Sequence, residues 1–274
     1  MSSTRIVTFT TDFGLNDHYV GTMKGVVLNI NPAVQIVDIC NSVYSFDVLD
    51  GAMTIAQAYP YYPADSIHVV VVDPGVGTAR RPILAYTGKH SFIAPDNGVL
   101  SFVYDREERI VVRHIDAPHY FLQPVSNTFH GRDIFASVAG WLSKGVHYER
   151  FGEEITDYVR FAVPRPKAIS EKLIKGVVLK VDKFGNLVTN LSPRELPQLF
   201  QPDPPPFKIT VGKTDIVSLK TAYGQGAPGE VFAILGSMGF LEIASNRVAA
   251  SRLAGADRGS EVGVLIEAPS VVKS

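Results

Sequence analysis

The chain has 274 residues, 46% of them hydrophobic and 19% charged, which is enough apolar material for one large domain or two ordinary ones with a real core. A formal net charge of −1 and the lack of any Lys/Arg run give no electrostatic pull toward nucleic acid or an anionic membrane, and no apolar run approaches membrane-spanning length. Met1-Ser-Ser-Thr-Arg5 leads into a strand pattern without a basic and apolar leader, so the cytoplasm is the expected location; the single cysteine, Cys40, excludes an intrachain disulfide or thiolate metal cluster and reads as buried filler.

Ile6-Val-Thr-Phe-Thr10 opens as a strand, a helix follows from about Asp17 to Asn29, and Val34 to Ile39 forms a second strand. A second helix starts near Ser45 or Asp47 and runs to about Tyr59, after which Tyr61-Tyr-Pro-Ala-Asp65 turns the chain into the run His68-Val-Val-Val-Val72. Four consecutive valines read as a strand covered on both faces, the pattern of a parallel sheet. Strands follow near Ile83–Tyr86 and at Ser91-Phe-Ile-Ala94, then a helix over Asp133–Leu142 with Ile134, Phe135, Val138 and Trp141 at helical spacing. Beyond the proline-bearing stretch at 164–172, read as a linker, the pattern changes to short strands: Lys175–Val181, Leu187–Asn190, Phe207–Val211, Val231–Leu235, Leu241–Ala244 and Val262–Ile266. The predicted fold is therefore α/β: a Rossmann-like parallel-sheet domain over residues 1–163, then a small antiparallel β-barrel domain over 173–274. There is no internal repeat.

The most informative segment is Val72-Asp73-Pro-Gly75-Val-Gly77-Thr-Ala-Arg80. It carries a carboxylate from a buried strand into a glycine-bearing loop, with a guanidinium seven residues on. In open α/β sheets the ligand crevice lies beyond the carboxyl ends of the strands, so Asp73 sits where chemistry is expected, although a strand-ending Asp also caps turns. Asp12, in Thr11-Asp12-Phe-Gly14 after the first strand, shares that rim. Neither acid has a phosphate-binding glycine loop beside it; Asp12 is suited to accept the hydroxyl protons of a ribose diol, or to cap the next helix.

Phe129-His130-Gly-Arg132-Asp133 places a histidine on a turn before a helix, and Ala94-Pro-Asp96-Asn97-Gly98 forms another polar turn; either is placed to line the same crevice. Asp12, Asp17, His18, Asp73 and His130 also raise a metal-dependent hydrolase of some other small metabolite, although no His-x-His or His-x-x-x-His pair supports it and Arg80 competes for the carboxylate. In the second region Asn186 and Glu242 offer groups suited to an adenine edge or an amino-acid ammonium, while Phe184 and Phe240 can stack or simply pack.

Taken in order, Thr11-Asp12-Phe-Gly14, Val72-Asp73-Pro-Gly-Val-Gly-Thr78 with Arg80, Ala94-Pro-Asp-Asn-Gly98, Phe129-His-Gly-Arg-Asp133, Phe184-Gly-Asn186 and Gly239-Phe-Leu-Glu-Ile-Ala244 resemble the S-adenosyl-L-methionine hydroxide adenosyltransferase family, a former domain-of-unknown-function group related to the fluorinase and chlorinase. The resemblance implies hydrolysis of S-adenosyl-L-methionine to adenosine and L-methionine without a cofactor, in a homotrimer whose sites lie between the N-terminal domain of one subunit and the C-terminal domain of its neighbour. It places the catalytic set on Asp73, Arg80 and His130, the ribose contact on Asp12, and C-terminal substrate contacts on Asn186, Ser237 and Glu242. The halogenases lack the acid and the arginine that stand here at Asp73 and Arg80; they carry an arginine where this chain has Met238 and a tryptophan at the position of Phe46, which implies a halide-independent reaction. The same pocket in a protein that binds without turnover would make a sensor of adenosine or S-adenosyl-L-methionine.

Overall fold

The computed structural model describes residues 5–162 and 164–266. Met1–Thr4, Val163 and the chain beyond Ile266, on which the leader reading and the outer domain bounds fall, lie outside the described residues. The chain divides into two compact units, Met1–Phe161 and Ala162–Ser274.

The first unit runs β1 (Ile6–Thr11), α1 (Tyr19–Ile30), β2 (Gln35–Cys40), α2 (Val48–Ala58), β3 (Ile67–Val71), β4 (Pro82–Tyr86), β5 (Ser91–Pro95), α3 (Ser101–Arg106), β6 (Val111–His114), a π-helical turn at Gly131–Ala136, α4 (Ser137–Ser143) and β7 (Glu154–Ile155). Its sheet has the order β2-β1-β3-β5-β4-β6-β7. β2, β1, β3 and β5 are parallel, as the alternation of strands and helices requires. β4, β6 and β7 extend the sheet antiparallel, because β4 reaches β5 through residues 87–90 alone, with Gly88 at φ +84°, and so short a connection admits only a hairpin.

The valine run explains the layering. Val69 and Val71 pack with Met23 and Val27 of α1 and Val138 and Ala139 of α4, whereas Val70 packs on the opposite face with Ile55 of α2 and Val99 and Val103 around α3. Fully burying each such side chain is worth about 1.5–3 kcal/mol. Two glycines let helices approach closely: a Cβ at Gly51 would lie 2.9 Å from Val72 Cγ2, and one at Gly140 would lie 2.9 Å from Ile30 Cδ1. Cys40 is partly exposed rather than buried, because it ends β2, the edge strand.

The second unit comprises β8 (Lys167–Ala168), β9 (Leu173–Val181), β10 (Leu187–Thr189), β11 (Phe207–Val211), β12 (Thr214–Ile216), β13 (Leu219–Lys220), β14 (Val231–Leu235), β15 (Leu241–Ser245), α5 (Ala250–Ala254) and β16 (Glu261–Ile266). The path is β12-β11-β16-β9-β10-β15-β14-β13, antiparallel except where β13 meets β14. Its two ends, β12 and β13, are separated in the chain only by Val217 and Ser218, so the sheet curls back on itself around Val178, Leu187, Ile209, Val262, Leu241 and Ile243. Within the stretch read as a linker, β8 pairs with β9. No described helix is long and apolar enough to cross a membrane.

Candidate active site

The carboxyl ends of β1 and β3 present Asp12 and Asp73 on the same edge of the first sheet. Past buried Val72 the chain turns at Pro74, with Val76 N donating to the Asp73 carbonyl and Thr78 Oγ1 to the Gly75 carbonyl. This brings Arg80 back onto the acid. Arg80 Nε donates to both Asp73 oxygens, at 2.9 and 3.0 Å, and Nη2 donates to Oδ2. The side chains of Asp73 and Arg80 are only 5% and 9% exposed, so this is a buried pair whose disruption would strand a charge. Phe135, from the π-helical turn, lies 5.3 Å beneath the guanidinium.

Arg80 Nη2 also sits 2.8 Å from His130 Nδ1. A guanidinium has only hydrogens to give, so Nδ1 accepts and the ring proton is on Nε2. Burial, and then the Arg80 charge, hold the imidazole below its ordinary pKa, so His130 is neutral at neutral pH. A protonated His130 adding its own positive charge to the site does not fit this arrangement. The loop geometry depends on Gly77, which has φ +77° and lies so near Asn127 that a Cβ would overlap the Asn127 carbonyl oxygen; that contact joins the Asp73 loop to the segment entering His130.

Asp12 accepts a hydrogen bond of 2.8 Å from the backbone of Phe46. Its carboxyl is raised above the usual carboxylate range, mainly by burial and in smaller part by the Asp73 charge. Asn97 Nδ2 donates to the Val72 carbonyl at 2.8 Å, so this member of the Pro95–Gly98 turn fixes the end of β3. Asp96 is spent on Arg81 and the Val159 amide, and Asp133 on Arg132 and the Ser126 amide. His18 bonds to Thr22 on the exposed start of α1. With Arg80 occupying both Asp73 and His130, the five residues that raised a metal site do not form one; among the described residues no group of three or more His, Cys, Asp or Glu is placed to hold a metal ion.

The second unit carries a cavity of about 650 Å³ whose lining includes Asn186, Ser237 and Glu242 together. Glu242 is 4% exposed and accepts from Tyr223 Oη at 3.0 Å. Burial raises its carboxyl, and burial with the Glu242 charge pushes the Tyr223 hydroxyl up to about 12. A Cβ at Gly236 would overlap the Glu242 carboxylate, so any side chain there would displace it. Asn186 Nδ2 donates to Asp182 Oδ2 at 2.9 Å, leaving its carbonyl oxygen as an acceptor toward the cavity. Phe184 stands at the rim, 78% exposed, whereas Phe240 is not among the lining residues. Tyr223, Ser245 and Arg247 escaped the sequence reading: each is a common residue on a turn or strand end, and nothing local marks its neighbour across the barrel.

The chain matches the SAM hydroxide adenosyltransferase N-terminal domain over residues 7–152 and the corresponding C-terminal domain over residues 176–263. It is 36% identical over 272 residues to an (R)-S-adenosyl-L-methionine hydrolase of Salinispora tropica, covering 96% of this chain and 99% of the relative. A fluorinase of Nocardia brasiliensis is more distant, 26% identical over 270 residues and covering 88% and 90% of the two chains. A crystal structure of an uncharacterized conserved protein from Thermotoga maritima superposes with a TM-score of 0.87 at 35% identity, covering 94% of this chain and 99% of that one. The chain therefore belongs to the SAM hydroxide adenosyltransferase family.

Proposed function

We propose that this protein hydrolyses S-adenosyl-L-methionine to adenosine and L-methionine. A water oxygen bonds to ribose C5′ as the C5′–S bond breaks; the bonding electron pair returns to the sulfonium sulfur and the water's extra proton leaves to solvent. The sulfonium is already a good leaving group, so the protein's task is to orient the nucleophile and keep out bulk water. The observation that carries this reading is the single guanidinium shared between Asp73 and His130 Nδ1. Arg80 holds the Asp73 carboxylate in place to accept a hydrogen bond from the attacking water, while the Arg80 charge steadies hydroxide character as it develops. Asp12 holds the ribose hydroxyls, and Asn186, Ser237 and Glu242 contact the substrate. No cofactor is needed for this displacement. The full-length relationship to the S-adenosyl-L-methionine hydrolase of Salinispora tropica supports the same reaction.

The active assembly in this reading is a homotrimer in which the Asp73 edge of one subunit meets the Glu242 cavity of its neighbour. Phe46 and Phe184, 74% and 78% exposed, are large apolar rings that such an interface would cover. Incubation with S-adenosyl-L-methionine in ¹⁸O-water, with and without chelator, should give chelator-insensitive adenosine labelled at O5′. Binding without product would make the protein a sensor, and chelator-sensitive product would restore the metal reading. Mixing Asp73→Ala and Glu242→Ala subunits after dissociation and reassembly should recover about a quarter of the wild-type sites; no recovery would place each site within one subunit.

A further inference from the structure

The carboxylate of Asp12 is held by a segment 34 residues further along the chain. The chain leaving β2 is laced to the end of β1 on both sides of Asp12: Val43 N donates to the Thr11 carbonyl at 3.2 Å, and Gly14 N donates to the Asn41 carbonyl at 2.6 Å. Just beyond, Phe46 N donates to Asp12 Oδ2. Burial raises the Asp12 carboxyl, and this amide is the first influence that opposes it.

The Phe46 amide makes this contact from an unfavourable backbone. Tyr44–Asp47 is a four-residue turn closed by Asp47 N on the Tyr44 carbonyl at 3.0 Å, and Phe46, its third member, has φ +65°. Glycine or asparagine is the usual occupant of such a position, and with Phe46 74% exposed, packing within the chain does little to offset the conformation. Asp50 holds the turn instead. This acid is 5% exposed in the first turn of α2; its Oδ2 accepts from Tyr44 N at 3.0 Å, while its own amide donates to Asp47 Oδ1 at 2.9 Å. A buried carboxylate and a helix N-cap thus grip the turn at its two ends. Backbone strain persists where the surroundings over-determine it, and it gathers at sites whose geometry matters.

We propose that Asp50 is a positioning residue for Asp12: by holding the Tyr44 amide it keeps the turn closed and the Phe46 N–H on the Asp12 carboxylate, so that this carboxylate is oriented before the ribose hydroxyls arrive. This rests on the reading of Asp12 as the ribose contact and adds the device that sets it. Asp50 acts through the backbone. Fixing the acceptor in advance removes an ordering cost that the ligand would otherwise meet on binding.

The test is calorimetry on wild type and Asp50→Ala with adenosine and with 2′,3′-dideoxyadenosine, which lacks both ribose hydroxyls. Adenosine should bind about 3- to 10-fold more weakly to the variant, with the dideoxy compound almost unaffected. A merely structural role would weaken both ligands alike; that result, or no loss on adenosine, would overturn the assignment. In a Phe46→Gly background the turn forms without side-chain strain, so there Asp50→Ala should cost adenosine under about twofold, and an undiminished loss would rule out the turn as the route. Asp50→Ser, shorter in reach, replaces Asp50→Ala should that variant not fold, with the same outcomes expected. Should wild type not distinguish the two nucleosides, the ribose assignment of Asp12 fails instead, and the Phe46 amide proton decides the positioning by NMR. It should follow the Asp12 titration in wild type and cease to do so in the variant; no response in wild type, or an unchanged one in the variant, overturns the proposal.

Discussion

The Asp73 edge of the first unit and the Glu242 cavity of the second are both buried polar arrangements, yet they are built on opposite plans. At the first, one guanidinium satisfies an acid and an imidazole at once, so the charges are fixed in place before any ligand arrives. At the second, a buried carboxyl leans on a tyrosine hydroxyl, a serine hydroxyl is left over, and a bulky ring stands in solvent. Preorganised charge is what a displacement needs. Unspent donors and acceptors are what recognition needs.

If that contrast is right, substitutions should divide between rate and affinity. The largest effect belongs to Asp73→Ala and Arg80→Ala, each expected to lower kcat by roughly 100-fold or more, on the scale of positioned electrostatic groups. Retained wild-type turnover in either would break the comparison at its first half. Arg80→Lys should lose nearly as much, since an ammonium cannot address Asp73 and His130 Nδ1 in one plane.

Next comes pH. His130 must stay neutral for Nδ1 to accept from Arg80, and its pKa is lowered from 6.5, so turnover should hold as pH falls through 6.5 and drop about tenfold per unit only below the depressed value. An acid limb at or above pH 6.5 would contradict the neutral ring. A His130→Gln variant should lose this limb together with part of its rate.

Smaller effects, expected mainly in affinity, belong to Asp12→Ala and Glu242→Gln. Each should weaken substrate binding about tenfold by calorimetry, as a buried hydrogen-bonding partner is lost. Gly77→Ala sharpens the contrast from the backbone side. By pushing the Asp73 loop off Asn127 it should reduce kcat with little change in affinity, whereas Gly236→Ala, beside Glu242, should do the reverse.

The two regions also differ in how much of them could be read from sequence. Asp73 and Arg80 are seven residues apart on one loop after a valine strand, and strand-end acids of an α/β sheet have a known place to point. The contact of Arg80 with His130 crosses fifty positions and depends on Gly77 meeting Asn127, which no local pattern encodes. In the second unit, Asn186 and Glu242 were visible as polar residues in strand turns. Tyr223, Ser245 and Arg247 were not, because their relation to Glu242 exists only once the sheet has curled. β4 was legible as a strand but its antiparallel direction was not, for a related reason: a strand's side-chain pattern records burial, and its direction is set by the connection and the neighbour it finds.

By itself, then, the order of residues determined the division into an α/β part and a β part, the buried valine strand, and the placement of Asp12 and Asp73 at strand ends, because burial periodicity and turn chemistry act over a few neighbouring positions. Only the tertiary structure decided that Arg80 binds His130 as well as Asp73, that the imidazole is consequently neutral with its proton on Nε2, and that Asp50 holds the turn whose Phe46 amide meets Asp12. Those outcomes depend on distances and burial between segments far apart in the chain, and charge states follow from such distances.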